Sequence, residues 1–198
     1  LGARVIAGTK LGVYTPAGQT AGNFGARIEI VNEGVLRDKE ALGKVLTISN
    51  ETPRVLRVAA VQFHTSFGVA ENTKRIMEWI GKASKAGARV AVFSEMALTG
   101  YTKNAEFKDT LDWSVIDSSI ESIRNACKED GIHAIVGAPT RDGDKVFCAA
   151  IAIDPRGEIV DRYEKIYLAG EKWAMPGRQF TTFSIDDTKC ATIICHDK

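Results

Sequence analysis

Histidine, cysteine and proline are scarce in this chain, at three, four and five residues. No Cys-x-x-Cys pair occurs among Cys127, Cys148, Cys190 and Cys195, so the ligand spacing of a zinc site is missing. A disulfide framework is not expected either, because a chain of this length can bury a substantial core. Reduced thiols and a cytoplasmic location are the expectation. No apolar stretch approaches the roughly 20 residues that a membrane span needs, and no signal-peptide pattern opens the chain, which begins at Leu1. Runs of like charge are absent and the net charge is +1, so neither nucleic acid nor a membrane is expected as a partner. No Gly-Lys-Ser/Thr loop or dinucleotide fingerprint follows a strand, which argues against a nucleotide-binding α/β domain. Asn50-Glu51-Thr52 fits the glycosylation pattern, but nothing else points to secretion.

What is present is an ordinary globular composition, 44% hydrophobic and 26% charged, which predicts one principal domain. From residue 55 onward, strand and helix patterns alternate. Residues 55–63 read as a buried strand. Residues 69–86 read as a helix with Ile76, Met77, Ile80 and Ala83 on one face and Gly87 as its stop. Residues 88–95 form a second strand. Ile116, Ile120, Ile123 and Cys127 recur at four-three-four spacing, predicting an amphipathic helix over 114–130 that ends at Gly131. A third strand over 132–138 and a fourth over 145–153 are joined through the turn Asp142-Gly143. Asp154-Pro155-Arg156-Gly157 is a further turn before 158–163. Early crossovers through helices and later hairpins predict a mixed sheet in an α/β fold. Residues 1–53 hold eight of the 18 glycines. They read as a glycine-rich leader or part of another module, with strand-like pieces at 27–31 and 44–49.

Three residues stand in settings that suit one chemistry. Glu95 closes the apolar run Ala91-Val92-Phe93, Lys165 lies in Tyr163-Glu164-Lys165-Ile166-Tyr167-Leu168, and Cys195 ends the run Cys190-Ala191-Thr192-Ile193-Ile194-Cys195. An acid, a cation and a thiol at predicted strand ends can carry acyl transfer, with Glu95 as base, Cys195 as nucleophile and Lys165 as donor to the oxyanion. Strand parity over 190–196 would set Cys195 and His196 on opposite faces. The backbone N–H of His196, rather than its imidazole, is therefore the expected oxyanion donor. Cys127 and Cys148 read as inert core, with nothing polar beside them. His64 and His133 read as structural.

These segments, taken together, resemble the nitrilase superfamily of carbon-nitrogen hydrolases. Ser94-Glu95-Met96-Ala97-Leu98-Thr99-Gly100-Tyr101 is similar to the family's glutamate motif, with Ser94 in place of its usual proline. Tyr163-Glu164-Lys165-Ile166-Tyr167-Leu168 resembles the lysine motif, and Cys195-His196-Asp197 the cysteine motif of amidase and carbamoylase branches. Val58-Ala59-Ala60-Val61-Gln62-Phe63 matches the family's first strand and Asn72 its first-helix asparagine. The resemblance covers residues 54–198. It implies a four-layer α-β-β-α sandwich with mixed sheets, catalytic Glu95, Lys165 and Cys195, and a second active-site glutamate at Glu171 that positions substrate. It further implies hydrolysis of an amide or carbamoyl substrate through a cysteine thioester, no metal or organic cofactor, and a homo-oligomer in the full-length form. Family members continue beyond the cysteine motif with an aromatic-Pro-Glu segment, a helix and several strands. The sandwich is therefore expected to be incomplete at the C-terminus. The alternative is a catalytically inactive fragment or an interaction protein that keeps the sandwich architecture.

Overall fold

Helix periodicity, strand parity and capping account for most of the architecture seen in the computed structural model, which describes residues 56–197 and, before them, the backbone of four short strands. Those four are β1 (Arg4–Ile6), β2 (Lys10–Pro16), β3 (Ala26–Ile28) and β4 (Thr47–Ser49), paired antiparallel in the order β3-β2-β1-β4. They lie in the first of two units, Leu1–Val55, and the second is Leu56–Lys198. The strand-like pieces at 27–31 and 44–49 overlap β3 and β4, whereas β1 and β2 carry no pattern that the sequence reading includes. Asn50-Glu51-Thr52 lies outside the described residues.

The second unit runs β5 (Val58–Val61), α1 (Val69–Lys85), β6 (Val90–Phe93), α2 (Trp113–Asp130), β7 (His133–Asp142), β8 (Lys145–Ile153) and β9 (Ile159–Glu164). A ribbon of β10 (Phe183–Ile185) and β11 (Thr188–Cys190) follows. Five strands form one sheet in sequence order; β5, β6 and β7 are parallel, and β8 and β9 join antiparallel. Parallel neighbours need a crossover, and α1 and α2 supply it.

α1 buries Asn72, Ile76, Ile80 and Ala83. Met77, expected on that face, is 37% exposed because it lies about 100° around the helix from Ile76. Asp112 starts α2 by accepting from Ser114 N and Val115 N, and Gly131 stops it at φ +63°. The β7–β8 hairpin closes with Asp142 opposite Lys145.

Sheet parity then assigns the layers. Ala91 and Phe93 of β6, Ala134 and Val136 of β7, and Ile151 and Ile153 of β8 pack with Ile76, Ile80, Ile116 and Ile123 of the helices. The alternate positions Val90, Ile135 and Ala152 pack with Phe183 and Ile185 of the ribbon. Helices, sheet and ribbon thus follow one another as α, β and β, three successive layers of the expected sandwich. Among the described residues, no helix is long and apolar enough to cross a membrane.

The stretch after β6 crosses β7 so closely that only glycine fits at position 137. A Cβ there would collide with the Ser94 carbonyl oxygen and lie 2.5 Å from Met96 N and 2.9 Å from the Glu95 carbonyl carbon. Gly137→Ala is therefore expected to destabilise the fold by about 1–3 kcal/mol. The denaturant midpoint checks this, and an unchanged midpoint would show that the crossing is slack.

Candidate active site

Beyond β6 the chain turns sharply. Ala97 N donates to Ser94 O (3.2 Å), Gly100 N to Met96 O (2.8 Å), and Met96 takes φ +54°. Glu95 stands on this turn, past the C-terminal end of a parallel strand, where open α/β sheets gather their sites. Leu98 N donates to Gly137 O at 3.0 Å and holds the turn against β7. The buried amide of Asn72 holds it against α1, since Nδ2 donates to Leu98 O (3.0 Å) and Ser66 O (2.7 Å).

Lys165 follows β9 and extends its pairing, donating N to Cys148 O at 2.8 Å and accepting from Gly177 N at 2.8 Å. Its side chain is fully buried. Nζ donates to Glu95 Oε1 (2.7 Å) and to Glu171 Oε1 (2.6 Å). Glu171 is itself engaged at both oxygens: Oε1 also accepts from Tyr101 OH (2.9 Å), and Oε2 accepts from Ala169 N (2.6 Å). The loop bearing Glu171 is anchored by buried Trp173, whose Nε1 donates to Thr102 O at 2.8 Å and whose ring meets Phe107 edge-on.

A lone ammonium without solvent would lose its proton. Burial does push Lys165 down, but hydrogen bonds and charge from Glu171 and Glu95 outweigh it and hold the group above its ordinary range. For Glu171, burial pushes the carboxyl up, and the bonds from Lys165 and Tyr101 with a backbone amide bring it below the ordinary 4.5. Tyr101 is raised to about 12, by burial first and then by Glu171, so it remains a donor at neutral pH.

Sequence reasoning missed two contacts here. Cys148, read as inert core, is indeed buried, but its thiol donates to Glu95 Oε1 at 3.4 Å. Continuous burial along β8 hides that contact, because a strand buried on both faces has no alternation to single out one position. Tyr101 sits in the glutamate motif with no signal that its hydroxyl reaches Glu171, 70 positions away. Glu95 Oε1 therefore receives both Lys165 and Cys148. Among the described residues no hydrogen bond occupies its second oxygen.

Cys195 departs from the expected strand. β11 stops at Cys190, residues 191–194 take no regular form, and Cys195–Asp197 make a single 3-10 turn. The parity argument for Cys195 and His196 therefore does not apply. Cys195 is exposed at φ +45°, and the adjacent His196 is exposed on the same turn. Glu95 and Cys195 line one cavity of about 130 Å³, together with Val92, Ile135, Gly137 and Ile194. A larger cavity of about 650 Å³, walled by Phe67, Phe107 and Leu111, includes none of Glu95, Lys165 or Cys195. All four cysteines are free thiols. Among the described residues no group of His, Cys, Asp and Glu could hold a metal ion.

Comparison with known proteins identifies the family and the fold. The carbon-nitrogen hydrolase family profile matches residues 57–198. The protein N-terminal amidase of Saccharomyces cerevisiae is 28% identical over 155 residues, covering 72% of this chain and 34% of that protein. A nitrilase of Pyrococcus abyssi is 28% identical, covering 72% and 56%. The crystal structure of an amidase from Nesterenkonia sp. superposes with a TM-score of 0.64 at 23% identity, over 71% of this chain and 56% of that one. In a variant of that amidase, the acetamide moiety of fluoroacetamide is added covalently at the active-site cysteine. The chain spans about half the length, or less, of the curated relatives it matches. With the profile covering most of the chain and the fold shared, this protein belongs to the carbon-nitrogen hydrolase family.

Proposed function

We propose that the protein hydrolyses the carbon-nitrogen bond of a small amide or carbamoyl substrate, with Cys195 as nucleophile, Glu95 as general base and acid, and Lys165 as oxyanion donor. The observation that carries this reading is the buried Glu95–Lys165–Glu171 chain, whose Glu95 end lines the cavity that Cys195 also lines. Cys195 Sγ attacks the carbonyl carbon and its proton passes to Glu95. The oxyanion is met by Lys165, which has three N–H donors and commits two to carboxylates, and by the His196 backbone N–H. Glu95 returns the proton to the departing nitrogen, ammonia or amine leaves, and a thioester remains on Cys195. Water then gives a proton to Glu95 and attacks the thioester. Its collapse breaks the C–S bond, the sulfur regains the proton, and the acid is released. Glu171 serves substrate placement by fixing Lys165 and Tyr101, since its own oxygens are occupied.

A purely structural sandwich would gain little from this arrangement. Burying one cation between two carboxylates is costly to desolvate, and apolar residues of similar volume do as well or better. That cost favours catalysis over the reading as an interaction protein.

The test uses the natural gene product with a panel of aliphatic amides, nitriles and N-carbamoyl compounds. Cys195→Ala is expected to abolish turnover with circular dichroism unchanged. Glu95→Gln is expected to lower kcat by about 10²–10⁴-fold, the usual contribution of a positioned base. Turnover that survives either change would reject the assigned roles, and activity on nitriles alone would reject the amide assignment.

The charges also set a pH dependence. Glu171 is lowered from 4.5 in the fold, so its contribution is complete above that value and is lost as pH falls through the lowered one. Lys165 is raised, so its contribution is complete below its ordinary 10.5 and is lost as pH rises through the raised value. Thermal stability should therefore decline on acidification below about 4.5. Glu171→Gln should cost on the order of 3 kcal/mol at pH 7 and flatten that acid limb. Melting temperatures across pH check it, and an unchanged acid limb in the variant would assign the decline to other carboxylates.

A further inference from the structure

Cys195 is an exposed residue on a single 3-10 turn, in a left-handed conformation that L residues disfavour, and the four residues before it belong to no sheet. Something other than strand pairing must therefore fix the thiol relative to Lys165. Asp197, two positions on, makes the connection with both oxygens. Oδ1 accepts from Tyr167 N (2.8 Å) and Ile166 N (3.1 Å), the two amides that follow Lys165. Oδ2 accepts from Tyr163 OH (2.8 Å), two residues before Lys165, and from Ile194 N (3.0 Å), immediately before Cys195. Asp197 N closes the turn by donating to Ile194 O at 3.0 Å.

We propose that Asp197 is a positioning residue that sets the spacing between the Cys195 thiol and the Lys165 ammonium, by tying the nucleophile turn to the segment that carries the lysine. This rests on the reading of Cys195 as nucleophile given above. The Asp197 carboxylate makes its hydrogen bonds to Tyr163, Ile166, Tyr167 and Ile194 and none to Glu95, Lys165 or Cys195, so it acts through the segments it holds. Its anchor is rigid. Tyr163 is fully buried, stacks on Phe180 at 5.8 Å between centroids, and packs with Ala150 and Ile194.

The chemistry selects aspartate. Four donors converge on two oxygens, a set that a carboxylate, an acceptor at both positions, can satisfy. Asparagine keeps one acceptor and turns an N–H₂ toward two donors. Glutamate adds a methylene and would push the turn away from Tyr163.

The experiment uses the natural gene product and its Asp197→Asn and Tyr163→Phe variants. For each, kcat and KM are measured on the best amide, and the rate of Cys195 alkylation by iodoacetamide is followed by peptide mapping. Circular dichroism and melting temperature report folding. In the unsubstituted protein, Cys195 should be alkylated well ahead of Cys127, Cys148 and Cys190; failure there removes the nucleophile reading and this proposal with it. Given that result, Asp197→Asn should lower kcat by about 100-fold, the scale of a misplacement near 1 Å, with KM nearly unchanged and alkylation slowed. Tyr163→Phe removes one donor to the charged oxygen and should lower kcat by about tenfold. A folded Asp197→Asn variant with native kcat and alkylation rate, or one that loses only melting temperature, would overturn the proposal while leaving the nucleophile reading intact. If Asp197→Asn does not fold, Tyr163→Phe decides in the same way: a lowered kcat at constant KM supports the clamp, and a native kcat overturns it.

Discussion

The ammonium of Lys165, buried without solvent between Glu95 and Glu171, is the constraint around which the rest of this domain is arranged. An unpaired charge there would be lost to proton release, so both carboxylates must arrive together and with good geometry. Their arrival involves three separate elements. β6 must end so that Glu95 turns inward, β9 must carry Lys165 beside β8, and the loop at 169–174 must fold back over the lysine. Glu171 accepts at both oxygens and is held below its ordinary range. Lys165 thereby keeps its charge, and Glu95 is left with an oxygen that no described residue occupies.

The close approach demanded by that arrangement explains several local features at once. The Glu95 turn passes over β7 at Gly137, and the chain after the Glu171 loop passes over Glu164 at Gly177, where a Cβ would lie 2.8 Å from Glu164 Cβ. Both glycines allow one backbone to meet another where a side chain would hold them apart. Asn72 supports the first crossing from below, with its buried amide bonded to Leu98 and Ser66. The Leu98 carbonyl on the irregular turn is thus answered by a side chain, as buried polar groups require.

These relations divide into those a sequence displays and those it hides. Helix periodicity, the stops at Gly87 and Gly131, and the Asp142-Gly143 turn are local, and the elements expected over 69–86, 114–130, 132–138 and 145–153 are observed as Val69–Lys85, Trp113–Asp130, His133–Asp142 and Lys145–Ile153. The mixed sheet followed from the same local signs. Parity misled at Cys195, where the apolar run Ala191–Ile194 looks like a strand yet leaves Ile193 57% exposed and belongs to no sheet. A short apolar run has no internal feature that separates a strand from an extended approach to a turn. The contacts of Cys148 with Glu95, Tyr101 with Glu171 and Asp197 with Tyr163 span 53, 70 and 34 positions. No spacing rule reaches that far. The candidate residues themselves were legible only because three motifs resembled one family; each alone would pass for a strand-end acid, a surface lysine or a core thiol.

Sequence separation also ties the chemistry to completion of the fold. Glu95 and Lys165 are 70 residues apart, and the β6–β9 region that lies between them must pair before they can meet. Closing so long a loop costs entropy that local helix formation does not repay, so the ion pair cannot precede the sheet. Until it forms, the lysine has no reason to leave water. Afterwards its burial opposes any fluctuation that would separate β6 from β9, because each carboxylate lost would leave charge without solvent. Cys195 is placed differently. As the proposed nucleophile it must be reached by substrate, and it stands on an exposed turn rather than sharing the lysine's burial. A rigid interior charge and an accessible thiol can work on one carbonyl only if a third group relates them. The carboxylate of Asp197, bonded on one side to the amides after Lys165 and on the other to the amide before Cys195, occupies the position from which that is possible.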